Sequence, residues 1–164
     1  MFFGGYKMPG NAEVIASLNG LLADELAAIN QYTAHYLALE NWGFDGLAVA
    51  VKDRAEDEQK HARKIAARIL ELGGAPIFGA IGTVTVSLDA VPPQLAADAD
   101  AEDLAIAKQN AAIKVSFDAG DNTTAHLVTL IVTEESEHLS EIQGWQAQIA
   151  QMSLAGFLTA HVEE

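Results

Sequence analysis

Cysteine is missing from all 164 residues. That excludes disulfide staples, thiolate metal sites, iron–sulfur clusters and cysteine nucleophiles. Basic residues are scarce: nine Lys and Arg stand against 23 Asp and Glu, a net charge of −14. A surface that neutralises nucleic-acid phosphates is therefore not expected. No apolar run reaches the roughly 18 residues of a membrane span. The opening MFFGGYKMPG has no basic region ahead of a long apolar stretch, so no secretory signal is expected and the cytoplasm is the default. What remains is a chain that is half apolar and one-fifth charged, the composition of an ordinary soluble domain long enough to bury a real core. Its acidic balance suits a protein that handles cations.

Helical periodicity dominates the chain. From Asn11 to Glu40 the apolar residues Ile15, Leu18, Leu21, Leu22, Ile29, Tyr32 and Leu39 recur at three-and-four spacing. Asn41-Trp42-Gly43 breaks the pattern, and a second helix runs from about Phe44 to Leu72, stopped by Gly73-Gly74 and Pro76. A third begins near Leu95, continues through Ile106, Ile113 and Phe117 and ends at Gly120, where Asp121, Asn122 and Thr123 offer caps for a fourth that reaches Met152. A short fifth helix is expected over 153–162. Tight turns make hairpins of helices one and two and of three and four. Between the hairpins lies a Gly- and Pro-rich stretch, residues 73–97, too long for an ordinary loop. Helices of about 28 residues are about 42 Å long, and a connection of this length can run the whole bundle. The prediction is an all-α, antiparallel four-helix bundle with one long crossover, the ferritin-like connectivity, in one domain with an N-terminal extension over 1–10.

The apolar stripes carry residues that oppose burial. Glu25 sits between Leu21/Leu22 and Ile29; helix two reads Val51, Arg54, Glu58, His61, Ile65. Helix three reads Leu95, Ala99, Glu102, Ile106, and helix four Ile131, Glu135, His138, Ile142. Four unpaired carboxylates facing one core would each cost several kcal/mol or more, whereas two divalent cations would match their charge. Buried arginines would serve as well, but only Arg54 lies on a stripe. Any one such Glu is better explained by a register displaced by one position. Spacing argues otherwise. Glu58 to His61 and Glu135 to His138 are both Glu-x-x-His, one helical turn apart. Each is preceded by a Glu 33 positions upstream, and the two triplets are offset by 77 at every member. One Glu from each of two helices and Glu-x-x-His from each of the others is the constellation of di-iron and di-manganese bundles. The mixed oxygen and nitrogen donors suit iron, with zinc and manganese as competitors.

Leu26-Ala27-Ala28-Ile29-Asn30-Gln31-Tyr32 after Glu25, Glu40-Asn41-Trp42-Gly43 at the first turn, and Asp57-Glu58-Gln59-Lys60-His61 resemble the bacterioferritin family over nearly the whole chain. The resemblance implies iron storage and a ferroxidase, with two iron ions per subunit. Glu25 and His61 would ligate one, Glu102 and His138 the other, and Glu58 and Glu135 would bridge them. It also implies oxidation of Fe(II) by oxygen or peroxide, and a homo-oligomeric shell of 24 subunits, or 12, with the fifth helix along a symmetry axis. Members that bind haem b use a Met directly after the first bridging Glu; Gln59 stands there instead. Either the protein works without haem, or a second subunit type supplies the methionine. Tyr32, two turns from Glu25, is placed to relay an electron or to hydrogen-bond a bridging ligand. Arg54 has either an inter-subunit carboxylate for partner or another role, and His35, His126 and His161 read as plain surface or core residues. Asp53, Glu56 and Asp57 form an acidic run beside the site. Two other readings remain: a rubrerythrin-like peroxidase, whose cysteine-ligated iron domain has no counterpart here, and a Dps-like 12-subunit protector, whose basic tail is absent.

Overall fold

The computed structural model describes residues 10–162, so residues 1–9 of the expected N-terminal extension lie outside it. Its elements are α1 Ala12–Trp42, α2 Asp45–Glu71, α3 Val91–Asp118 and α4 Asn122–Thr159. No strand occurs among the described residues, and none of their helices is long and apolar enough to cross a membrane.

Local chemistry sets the helix ends. Asn11 Oδ1 accepts from the backbone N–H of Glu13 at 2.8 Å and of Val14 at 3.4 Å, satisfying amides that a helix N-terminus leaves free. α1 stops at Gly43, whose φ of 79° is the left-handed conformation that carries no penalty without a Cβ. α3 starts at Val91 rather than near Leu95, so part of the expected 73–97 connection is helix. Pro92 and Pro93 disguise that start: in a first turn the missing N–H has no partner to lose, and the fixed φ suits a helix. Asp121 Oδ1 accepts from Thr124 N–H at 3.0 Å and opens α4. Near its far end Ser153 has φ 70° and ψ 158°, far from helical values and uncommon for a residue with a Cβ. Helical turns resume beyond this kink and bury Phe157.

α1 packs chiefly on α2, and α3 on α4. Gln31 bonds Asp98 while Gln109 bonds Glu25, so α3 runs opposite to α1. Likewise Arg54 meets Glu141 and Arg68 meets Asp121, so α4 runs opposite to α2. Between α2 and α3 the chain follows α1: Ile77 N–H donates to Asn19, Gly82 N–H to the Ala23 carbonyl, Thr85 N–H to Gln31 and Ser87 N–H to His35, at 2.8 to 3.0 Å. The approach is tight at Gly74 and Gly82, where a Cβ would stand 2.7 Å from Ile15 Cγ2 and 2.9 Å from Asp24 Oδ1.

Two apolar clusters fill the bundle. One joins Leu18, Leu22, Ile65, Ile69, Val128 and Ile131; the other joins Leu39, Leu47, Val51, Leu95, Ile142 and Phe157. Each large aliphatic side chain buried there contributes about 1.5–3 kcal/mol. Phe117, assigned to the α3 stripe, is exposed. The face that α3 buries is unusually polar, with Gln94, Asp98, Glu102, Gln109 and Ser116 beside Leu95 and Ala112.

Candidate metal centre

Between the two clusters the bundle turns polar. α1 contributes Glu25 and Tyr32, α2 Glu58 and His61, α3 Glu102, and α4 Glu135 and His138. All seven residues that the sequence singles out meet there. The four carboxylates are at most 3% exposed, and His61 is fully buried.

The geometry is that of two linked halves. His61 Nδ1 lies 3.0 Å from Glu58 Oε2, 3.2 Å from Glu135 Oε1 and 3.7 Å from Glu25 Oε2. His138 Nδ1 lies 3.2 Å from Glu135 Oε2, 3.3 Å from Glu58 Oε1 and 3.5 Å from Glu102 Oε1. Glu58 and Glu135 thus turn one oxygen to each imidazole. Two sets of donor atoms result, Glu25–Glu58–His61–Glu135 and Glu58–Glu102–Glu135–His138, each within 4.8 Å of one another. Glu58 Oε1, Glu135 Oε2 and His138 Nδ1 are buried with no hydrogen-bond partner among the described residues. Buried orphans of this kind are costly. Cations among the donors would satisfy all three, so the residues fit a pair of metal ions.

Protons carry the charge balance of the centre. Burial alone would lower the basicity of His61, but the carboxylates of Glu135, Glu25 and Glu58 gathered at its Nδ1 override it and raise its pKa far above the usual imidazole range. His138 is pushed up to about 12: burial opposes the shift, and Glu102, Glu135 and Glu58 outweigh it. Burial raises Glu25 well above the ordinary carboxylate range and takes Glu102 to about 7. Burial also works upward on Glu135, yet His138, His61 and Gln109 draw it down to about 2. Protons on imidazoles and carboxyls therefore stand where cations would stand.

Several neighbours hold this arrangement. The Tyr32 hydroxyl donates to Glu102. Of the two roles expected for Tyr32, a hydrogen bond to a bridging ligand is not what this contact is, since Glu102 is a terminal ligand in the scheme the resemblance implies. Gln109 donates to Glu135 at 3.0 Å and reaches Glu25 at 3.4 Å. Glu134 Oε2 meets His61 Nε2 at 2.6 Å. Neither Gln109 nor Glu134 was legible as a site residue. Gln109 lies seven positions after Glu102 on the same face, a polar residue on a buried stripe, which is the one signal it gave. Glu134 points from the edge of α4 and gave none. Arg54 finds its carboxylate within the chain, Glu141, at 2.7 Å, and its guanidinium lies 5.4 Å from the ring centres of both Tyr32 and Trp145. His35 is a core residue whose Nδ1 meets Asp98 at 2.8 Å; His126 is exposed. The centre has two openings. A cavity of about 70 Å³ leads from Glu25, Tyr32 and Glu102 out to Asp24, Thr83 and Lys108. On the opposite side, Asp53, Arg54, Asp57, His138 and Glu141 line a space of about 170 Å³.

Residues 15–152 match the family model described as a ferritin-like domain. The chain is 35% identical to the bacterioferritin of Mycobacterium leprae strain TN, over 88% of this chain and 91% of that one. It is 40% identical to the bacterioferritin of Desulfovibrio desulfuricans, over 83% and 75%. With the bacterioferritin of Streptomyces coelicolor it shares 31% identity over 96% and 93%. The chain belongs to the bacterioferritin family. Within this family member Gln59 is exposed on α2, where it borders a largely apolar groove with Leu26, Ile29 and Phe78. The paired halves lie well inside the matched span.

Proposed function

We propose that the chain stores and detoxifies iron, taking Fe(II) as substrate at the paired Glu and His site and depositing ferric mineral inside an oligomeric shell. The observation that carries this reading is the sharing of Glu58 and Glu135 between two complete donor sets. Glu25 and His61 serve one ferrous ion, Glu102 and His138 the other, and the two shared carboxylates face both. Two ferrous ions each give up one electron. Dioxygen and two protons then leave as hydrogen peroxide, or peroxide and two protons leave as two waters. The protein's part is binding, charge and proton handling. Four buried carboxylates favour the more highly charged ferric product. Gln109 fixes Glu135 and Glu25, and Tyr32 fixes Glu102, so the donors are oriented before the substrate arrives. Each imidazole gives up the proton at Nδ1 as its metal enters.

The finer architecture belongs to the same proposal. Residues 73–90 are the crossover, and the turns after Ser153 are a short fifth helix placed for a symmetry axis of a 24-subunit shell. Gln59 leaves this chain without the methionine for haem, and the store is cytoplasmic. Anaerobic ferrous titration should saturate the fast site at two irons per chain, and Glu58→Ala should abolish rapid oxidation. Oxidation at the parental rate by Glu58→Ala would sink the assignment. Light scattering on the assembled protein then separates 24 from 12 chains.

A further inference from the structure

Although the sequence makes the two halves of the centre look equivalent, their surroundings differ. His61 is fully buried, and its outer nitrogen is held by Glu134 at 2.6 Å. A carboxylate in that position fixes the ring and raises its strength as a ligand. His138 is 13% exposed, and the carboxylate nearest its outer nitrogen, Asp57, is 3.6 Å away. Asp57 is already engaged by the Lys60 ammonium at 2.6 Å.

The second difference is a charge. Arg54 lies one turn before Glu58 on α2, only 2% exposed. Its guanidinium lies 5.4 Å from the ring centres of Tyr32 and Trp145, and its charge acts on Tyr32 and Glu102. Tyr32 in turn donates to Glu102. Arg54 also lines the same opening as His138. One nitrogen donates to Glu141, while Nε and Nη1 have no acceptor among the described residues. Glu141 is 50% exposed, so solvent screens its charge, whereas the buried guanidinium is screened far less. On the other side the cations are Lys64 and Lys108. Both are substantially exposed and paired with their own carboxylates, Glu134 and Asp24. Repulsion of an incoming cation is therefore concentrated on one half.

We propose that the two halves hold divalent cations unequally, the Glu25–His61 half tightly and the Glu102–His138 half weakly, with Glu134 and Arg54 as the positioning residues that create the difference. This rests on the two-cation reading above. The weak half is the one beside the opening formed by Asp53, Asp57 and Glu141.

Calorimetric zinc titration of the metal-free, assembled protein tests this without any oxidation chemistry. Two steps are expected, separated by at least ~10-fold in affinity. His138→Ala should delete the weak step and keep the tight one. Arg54→Gln should tighten the weak step by about tenfold, and Arg54→Lys should preserve the gap. Glu141→Gln, at a half-exposed position that the fold tolerates, leaves the guanidinium uncompensated and should widen the gap. Glu134→Gln should weaken the tight step. Two equal steps in the parent protein would overturn the inference, as would a gap unchanged in both Arg54→Gln and Glu141→Gln, or loss of the tight step in His138→Ala. A parent protein that takes up no zinc overturns the two-cation reading itself.

Discussion

Metal uptake by this centre should expel more protons than it has histidines. Both imidazoles carry protons at neutral pH, His61 far above its usual range and His138 up to about 12. Metal ligation needs both nitrogens free, so two protons leave from them. Glu102, at about 7, is half protonated at pH 7, and Glu25 is raised well above the ordinary carboxylate value. Release per pair of cations should therefore exceed two protons and stay below four. By linkage the logarithm of the joint binding constant changes with pH by that number, so one pH unit of acidification weakens binding of the pair by more than ~100-fold. Titration with zinc in weakly buffered solution with a pH indicator, or calorimetry in buffers of different ionisation enthalpy, counts the protons directly. One proton or none per pair would refute the charge balance described for the metal-free centre. The same shifts govern the metal-free fold. His138 has a folded pKa above its unfolded one, so its contribution to stability is complete below about 6.5 and fades as pH rises toward 12. Glu135 is depressed, so its contribution holds above about 4.5 and is lost as pH falls toward 2.

Divalent cation at a hundredfold excess over its dissociation constant should stabilise the fold by about 2.7 kcal/mol per site, or roughly 5–10 °C in Tm. Differential scanning calorimetry with zinc and then with a chelator measures this, and a Tm unmoved by either would contradict a cation site in the core. His35→Ala should cost about 2 kcal/mol or more, because it strands the Ser87 amide and leaves Asp98 Oδ1 with Gln31 alone. Zinc stoichiometry should stay at two. Denaturant titration beside zinc binding separates the effects, and loss of zinc sites in a folded His35→Ala would show that this network belongs to the centre.

Much of the centre was legible because helical spacing is a rigid ruler. Residues three or four apart share a face whatever surrounds them, so Glu-x-x-His twice, with a Glu at a matched distance before each, placed six donors on buried stripes before any packing was known. The four helices were legible for the same reason. Where the ruler carried less information, the reading slipped. Prolines hid the first turn of α3, and its buried face, built from Gln, Asp and Ser, left Phe117 as a misleading apolar mark. The Ser153 kink, by contrast, falls where the fourth helix was expected to end, just after Met152.

Other features lie beyond any single helix. Glu134 backs His61 across the gap from α4 to α2, Gln109 ties Glu135 to Glu25, and Arg54 finds Glu141 87 positions away. Partnerships of this kind depend on how neighbouring helices are rotated and shifted against each other. Packing of side chains over the whole interface sets that, not the local period. The sequence by itself determined that two equivalent sets of donors would face one core. The resemblance added that Glu58 and Glu135 join them; only the tertiary structure decided that Glu134 backs His61 while Arg54 stands beside His138. Spacing along a helix fixes which face a side chain occupies, whereas the charge it meets there comes from other helices.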